Sequence, residues 1–249
     1  MTSSATLEFG RPASHVRLMA RRRLARLAVT AVAGGVAAAA AVTVLAAVAS
    51  LPSPVPTPVV VAAAGVATAV AAGRAAAGPY RQARAGVRSE VTVAKVLRRC
   101  RPAAIVHGAL LVASGGDADH VVLGRVCALV ETKTGRGPVT VTGDGRLQVG
   151  RKRLPRDPVE QARRQARKVQ QTVGVSCTPV VCIVNASGRW QVHDGVVICS
   201  ARQLPHVLAQ LPAVVNPEVA RQRAQLLAAA DQRTSGGGRG HRGVSRDAA

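Results

Sequence analysis

The length, composition and charge of this chain exclude several classes of protein. Its 249 residues are too few for two large domains, and its five cysteines form no Cys-x-x-Cys pair, so neither a disulfide framework nor a structural zinc site is indicated. The 34 lysines and arginines outweigh 12 acidic residues and give a formal charge of +22, which favours an anionic partner such as nucleic acid or anionic lipid, unless a GC-rich genome has simply enriched arginine.

The N-terminal part of the chain has the pattern of a membrane anchor. Residues 1–26 are basic and are predicted to lie in the cytoplasm. Residues 27–78 are predicted to form a transmembrane helical hairpin, with spans at about 27–51 and 57–77 that suit a lipid bilayer core of ~30 Å at about 1.5 Å per residue. Arginines flank the hairpin and are missing from its turn, so both termini and the soluble domain are predicted on the cytoplasmic side of the cell inner membrane. A cleaved export signal is the alternative.

Residues 86–211 have the composition of a mixed α/β domain. A helix is predicted over 89–99, followed by short runs rich in β-branched residues and by further helices at 158–172 and 201–211. This order predicts a small central mixed sheet flanked by helices. Residues 212–249 are predicted to hold a short helix and then a disordered tail rich in glycine and arginine.

Two acidic residues, Asp119 and Glu131, lie on predicted strands joined by a short turn. If these strands form an antiparallel hairpin centred on Arg125, residues whose numbers sum to 250 face each other, as Asp119 and Glu131 do. Facing carboxylates repel unless a cation lies between them, and a hard divalent ion such as Mg²⁺ suits that position.

Lys133 lies two residues beyond Glu131 and is therefore expected on the same face of the strand. An ammonium group at that place orients an attacking water and offsets negative charge on a phosphate. Only four of the 34 basic residues are lysines, which argues against a chance occurrence. The alternative is a solvent-exposed sheet edge that ends in Glu-Thr-Lys without any catalytic role.

These residues belong to a longer series of motifs. The segments that carry the resemblance are Asp119-His120-Val121-Val122, Glu131-Thr132-Lys133, Gly137, Val139, and Asp157-Pro158 ahead of Gln161-Ala162. They resemble the nuclease-related domain, NERD, a family placed among the PD-(D/E)xK-type nucleases. The resemblance covers about residues 86–211 and implies a restriction-endonuclease-like fold. The turn Gly124-Arg125-Val126-Cys127 departs from the Pro-Gly character that is usual in this family.

The resemblance also implies a set of catalytic residues, namely Glu90, Asp119, Glu131, Lys133 and Gln161. Asp119 and Glu131 would bind Mg²⁺ or Mn²⁺ directly, and Glu90 would support the metal. Lys133 would activate the attacking water, and Gln161 would position that water or the backbone.

A basic cluster lies on and just before the helix that carries Gln161. Its members are predicted to contact nucleic-acid phosphates: Arg151, Lys152, Arg153, Arg163, Arg164, Arg167 and Lys168. No aromatic stacking platform accompanies them, so DNA is favoured over RNA. The alternative is a solvated helix face. His107 and His120 are interpreted as structural.

The sequence therefore predicts a membrane-anchored, divalent-metal-dependent nuclease that hydrolyses DNA phosphodiester bonds. The alternative is a membrane-anchored nucleic-acid-binding or scaffold protein that keeps the fold without turnover. Oligomeric state is not indicated.

Overall fold

The computed structural model describes residues 5–49, 57–111, 116–214 and 216–236. The chain divides into two compact units. One is formed by Met1–His15 together with Gly86–Ala249, and the other is formed by Val16–Ala85. Each unit is described by itself below.

The second unit is built from two long helices. Helix α1 spans Ser14–Ala49, and helix α2 begins at Thr57 and ends at Arg99, in the first unit. The turn predicted between the two spans, at about 52–56, lies outside the described residues.

The predicted transmembrane hairpin at 27–78 is wrong, and so is the prediction of a location in the inner membrane that depended on it. Within the described ranges, no helix is long and apolar enough to cross a membrane. Alanine dominates both stretches, and its small side chain contributes little apolar area. Helix α2 also runs without a break from the second apolar stretch through Arg74, Arg81 and Arg84.

The first unit is organised around a mixed sheet, which confirms the predicted sheet flanked by helices. In the part of the chain that the structure describes, the strands are β1 (Leu7–Phe9), β2 (Ala104–Leu111), β3 (Gly116–Leu123), β4 (Cys127–Val141), β5 (Leu147–Val149), β6 (Lys152–Arg153), β7 (Thr178–Ser187), β8 (Gln191–His193) and β9 (Val196–Ser200). Their order across the sheet is β1-β2-β3-β4-β7-β9-β8, and β5 and β6 extend from β4. Strands β2, β3 and β4 are antiparallel, whereas β4, β7 and β9 are parallel.

Helices cover both faces of this sheet. The helices that follow α2 are α3 (Pro158–Val173), α4 (Leu204–Gln210) and α5 (Pro217–Gly236). Alternation along β4 sends Leu129 into a core shared with α3 and α5, and Val130 into a core shared with α2 and α4. Because aromatic residues make up only 1% of the chain, both cores are filled by valine, leucine, isoleucine, alanine and cysteine.

Helix α3 begins and ends at well-defined caps. The carboxylate of Asp157 accepts hydrogen bonds from the amides of Val159 and Glu160, and Pro158 opens the first turn. At the other end, Gly174 adopts the left-handed conformation at φ 69° that closes many helices. These caps fix where the helix starts relative to the sheet, and thus where Gln161 in its first turn lies.

Two elements of this unit lie outside the predicted domain limits of 86–211. Strand β1 comes from the basic N-terminal segment and pairs in parallel with β2. Helix α5 begins at Pro217 and buries Ala220, Ala224 and Leu227 in the core that also receives α3. The tail from residue 237 onwards, for which disorder is predicted, lies outside the described residues.

Candidate active site

The register between β3 and β4 is the one that the sequence predicts. The paired residues include His120 with Val130 and Leu123 with Cys127, and each pair sums to 250. Asp119 and Glu131 are the next residues along this ladder. The Asp119 carboxylate accepts a hydrogen bond of 2.7 Å from the backbone amide of Thr132, so it lies against the segment of β4 that carries Glu131.

Glu131 is the centre of a small polar network on the α3 face of the sheet. It is only 1% exposed, and its Oε1 atom accepts from Lys133 Nζ at 2.5 Å and from Gln161 Nε2 at 2.7 Å. Lys133 Nζ also lies 3.3 Å from Gln161 Oε1. The other carboxylate oxygen, Glu131 Oε2, is buried and has no hydrogen-bond partner among the residues that the structure describes.

Three carboxyl groups in this region have a raised pKa, and burial is the main cause for each of them. Burial, followed by the nearby Glu131 and Glu90 carboxylates, raises the pKa of Asp119 well above its usual range. Burial also raises the pKa of Glu131, against the lowering effect of Lys133. The pKa of Glu90 is raised to about 7, because burial and the charge of Glu131 outweigh the lowering effect of the nearby Ala13 backbone amide. A cation placed among these groups would favour their charged forms.

The five predicted catalytic residues thus occupy one region of the first unit. Glu131, Lys133 and Gln161 are directly hydrogen-bonded to one another, and Asp119 adjoins them through the Thr132 amide. Glu90, on α2, is 7% exposed and is related to Asp119 and Glu131 by charge, with no hydrogen bond to either among the described contacts.

The oxygen donors of this site suit a hard divalent cation only if the ion keeps several water ligands. Mg²⁺ commonly binds in this way, through one or two carboxylates. Asp119 and Glu131 supply two carboxylates. Of their oxygens, Glu131 Oε2 has no hydrogen-bond partner among the described residues and is therefore available to a cation. In the described ranges, however, no group of three or more histidine, cysteine, aspartate or glutamate residues is arranged to hold a metal ion.

His107 and His120 form a buried pair on β2 and β3. They face each other in the ladder, and their Nδ1 atoms are 2.8 Å apart, so one ring donates and the other accepts. Burial lowers the pKa of both, that of His120 to about 3. Neutral, mutually bonded rings agree with the structural role expected of them.

Some side chains of the basic cluster form ion pairs, and others form none among the described contacts. Arg163 is bound to Glu160 at 3.3 Å and to Asp194 at 3.1 Å, and Arg153 is bound to Asp144 at 3.3 Å. The exposed members without an ion pair among the described contacts are Arg151, Lys152, Arg164 and Arg167, and Lys168 is half-buried. Arg164 and Lys168 follow Gln161 at spacings of three and seven residues, so they share its face of α3.

Sequence reasoning missed two contributors to this region. Asp117 adds to the charge that raises the pKa of Glu90, and alternation along β3 places it on the same face as Asp119. That alternation is the signal that could have identified it. The Ala13 backbone, which bonds to Glu90, left no comparable signal in the sequence.

Residues 85–186 match the family model of the nuclease-related domain, NERD. The matched range holds Glu90, Asp119, Glu131, Lys133 and Gln161, and it confirms the resemblance for that part of the chain. No curated protein and no solved structure matches the chain.

Proposed function

We propose that this protein is a divalent-metal-dependent nuclease that hydrolyses DNA phosphodiester bonds. The observation that carries the proposal is the state of Glu131. One of its carboxylate oxygens is held by Lys133 and Gln161, and the other is buried without a hydrogen-bond partner in the described part of the chain. Leaving a buried charged oxygen unsatisfied is costly, and binding a cation beside Asp119 would remove that cost.

Each residue of the candidate site has its own role in the proposed reaction. Asp119 and Glu131 would hold Mg²⁺ or Mn²⁺, which when bound polarises the scissile phosphate. Lys133 would present its ammonium group to the phosphate oxygens as negative charge develops on them. Gln161 contacts both Lys133 and Glu131, so it fixes the position of one relative to the other.

The proposal is tested by incubating the full chain with supercoiled plasmid DNA in Mg²⁺, in Mn²⁺ and in EDTA. We expect nicked and linear products with either metal and none in EDTA. An Asp119→Asn protein purified in parallel, which keeps the shape of the side chain, controls for a contaminating nuclease. Intact plasmid in both metals between about pH 6 and pH 9 would rule the activity out.

A second candidate is a nucleic-acid-binding protein without turnover. The observation that favours it is the absence, within the described ranges, of a metal-binding group of three or more side chains. Salt-sensitive DNA binding that is unaffected by Mg²⁺ or EDTA, together with intact plasmid, would support this candidate over the first.

DNA is expected to approach along the exposed face of α3. Replacing both Arg164 and Arg167 with alanine removes two free cations, so DNA affinity should fall and the slope of log K against log salt should become shallower by about 2. The Arg163→Ala variant should have a smaller effect, because Arg163 is already engaged with Glu160 and Asp194. Fluorescence anisotropy with a labelled duplex at several salt concentrations measures both. Equal slopes for the double variant and the wild type would place the DNA elsewhere.

A further inference from the structure

The N-terminal segment Leu7–Ala13 belongs to the sheet unit, although helices lie between it and the rest of that unit in sequence. Its strand β1 pairs in parallel with β2, with Leu7 beside Ala104 and Phe9 beside Val106. The Leu7 amide also donates to the Ala103 carbonyl at 3.1 Å. Leu7 and Phe9 pack against the core that receives α3 and α5.

Glu8 ties this segment to the helix that carries Glu90. Its two carboxylate oxygens accept from Arg98 Nε at 2.6 Å and Arg98 Nη2 at 2.8 Å, a two-pronged ion pair with fixed geometry. Its Oε2 atom lies 3.7 Å from Nε2 of the buried His107. The segment is thus anchored to both α2 and β2.

The turn after β1 is closely fitted. Gly10 has φ 73°, and a Cβ atom at this position would lie 2.2 Å from the His107 carbonyl oxygen, so only glycine fits there. Ala13 also has a positive φ of 59°, which is unfavourable for alanine, and it is 2% exposed. A buried residue held in such a conformation requires surrounding contacts to keep it there. Its backbone amide lies close enough to the Glu90 carboxyl group to lower the pKa of that group.

We propose that the segment Leu7–Ala13 is a positioning element of the active site, and that it holds the Glu90 side chain in place through the backbone amide of Ala13. This inference rests on the proposed function insofar as Glu90 assists cleavage. Residues 7–13 precede the range matched by the family model, so this part of the site comes from outside the recognised domain.

The test compares two substitutions of Ala13 in the full chain. Proline has no amide hydrogen and cannot adopt a positive φ, so Ala13→Pro removes the donor. Ala13→Gly keeps the donor and is the conservative variant, because glycine accepts this conformation. We expect Ala13→Pro to lower kcat for plasmid cleavage by roughly tenfold or more with KM little changed, and Ala13→Gly to retain the wild-type kcat.

A second readout does not depend on cleavage. The side-chain carboxyl ¹³C resonance of Glu90, assigned with a Glu90→Gln protein, is expected to shift in Ala13→Pro and to stay in place in Ala13→Gly. If the wild type cleaves no DNA, the proposed function fails, and this resonance still decides whether the segment positions Glu90. An unchanged resonance and an unchanged kcat in a folded Ala13→Pro protein would overturn the inference.

The ion pair provides a further test if Ala13→Pro does not fold. Glu8→Arg places two like charges together and loosens the segment at its exposed edge, and Glu8→Arg combined with Arg98→Glu restores an opposite-charge pair. We expect the single variant to lower kcat and shift the Glu90 resonance, and the double variant to recover both. A folded Glu8→Arg protein with wild-type values for both would count against the positioning role.

Discussion

Replacing Lys133 with methionine is expected to reduce metal-dependent DNA cleavage by at least about a hundredfold, because the change removes the one ammonium group bonded to Glu131. Methionine is similar in length to lysine and carries no charge. Single-turnover cleavage of plasmid DNA under excess protein measures the effect. The matched control is Lys95→Met, since Lys95 is exposed on α2 and lies outside the proposed site. Cleavage within a few-fold of wild type in Lys133→Met would remove Lys133 from the mechanism.

The same substitution is expected to destabilise the protein in a pH-dependent way. Glu131 is almost fully buried, and without Lys133 its carboxylate has no cationic partner within the described ranges. Removing one partner of a buried pair costs on the order of 3 kcal/mol. The pKa of Glu131 is already raised by burial, so the group takes up a proton more readily as the pH falls, and the cost falls with it. Urea unfolding at about pH 5 and pH 8 in EDTA measures this, and an equal loss at both values would contradict it.

Stability in the absence of divalent metal is expected to fall as the pH rises from about 4.5 to about 7, because Glu90 binds its proton more tightly in the folded protein. Burial, opposed by the nearby Ala13 backbone amide, raises its pKa from the usual 4.5 to about 7. A raised acid pKa means that the folded state holds more protons than the unfolded state, so deprotonation favours unfolding. A shift of this size corresponds to roughly 3 kcal/mol. Asp119 and Glu131 act in the same direction.

The contribution of Glu90 is isolated by comparing the wild type with Glu90→Gln. Glutamine keeps the shape of the side chain and cannot ionise, so the variant is expected to lose less stability than the wild type between about pH 5 and pH 8 in EDTA. Adding Mg²⁺ at about pH 8 is expected to restore part of the wild-type stability, since a bound cation favours the charged carboxylates. Identical pH dependence in the two proteins would show that Glu90 does not carry the effect.

Local periodicity was enough to predict the centre of the candidate site. Strands repeat every two residues, and a short turn fixes which residues face each other, so the pairing around Asp119 and Glu131 follows from their numbers alone. The position of Gln161 depends on a helix start that Asp157 and Pro158 signal locally. Gln161 and Glu90 were predicted from the resemblance to the nuclease-related domain, since no local pattern singles them out.

Local periodicity could not predict contacts between distant parts of the chain, and it did not reveal how weakly apolar the alanine-rich stretches are. Strand β1 has only three residues in a basic segment, too short for any alternating pattern to stand out. The proximity of the Ala13 backbone to Glu90 depends on a fold that brings distant parts of the chain together. The transmembrane prediction for the alanine-rich stretches was wrong because it rested on their length, their lack of charge and the flanking arginines, whereas alanine buries far less apolar surface than leucine.

The discontinuous course of the sheet unit has a practical meaning for protein engineering. Residues 16–85 enter the chain as an insertion between β1 and the remainder of that unit, and Ala13 and Glu90 near the two junctions are in contact. Truncation at Gly86 deletes an edge strand and the ion pair of Glu8 with Arg98. Replacing residues 16–85 with a short flexible linker between His15 and Gly86 keeps both, so the minimal unit is obtained by excision rather than by truncation.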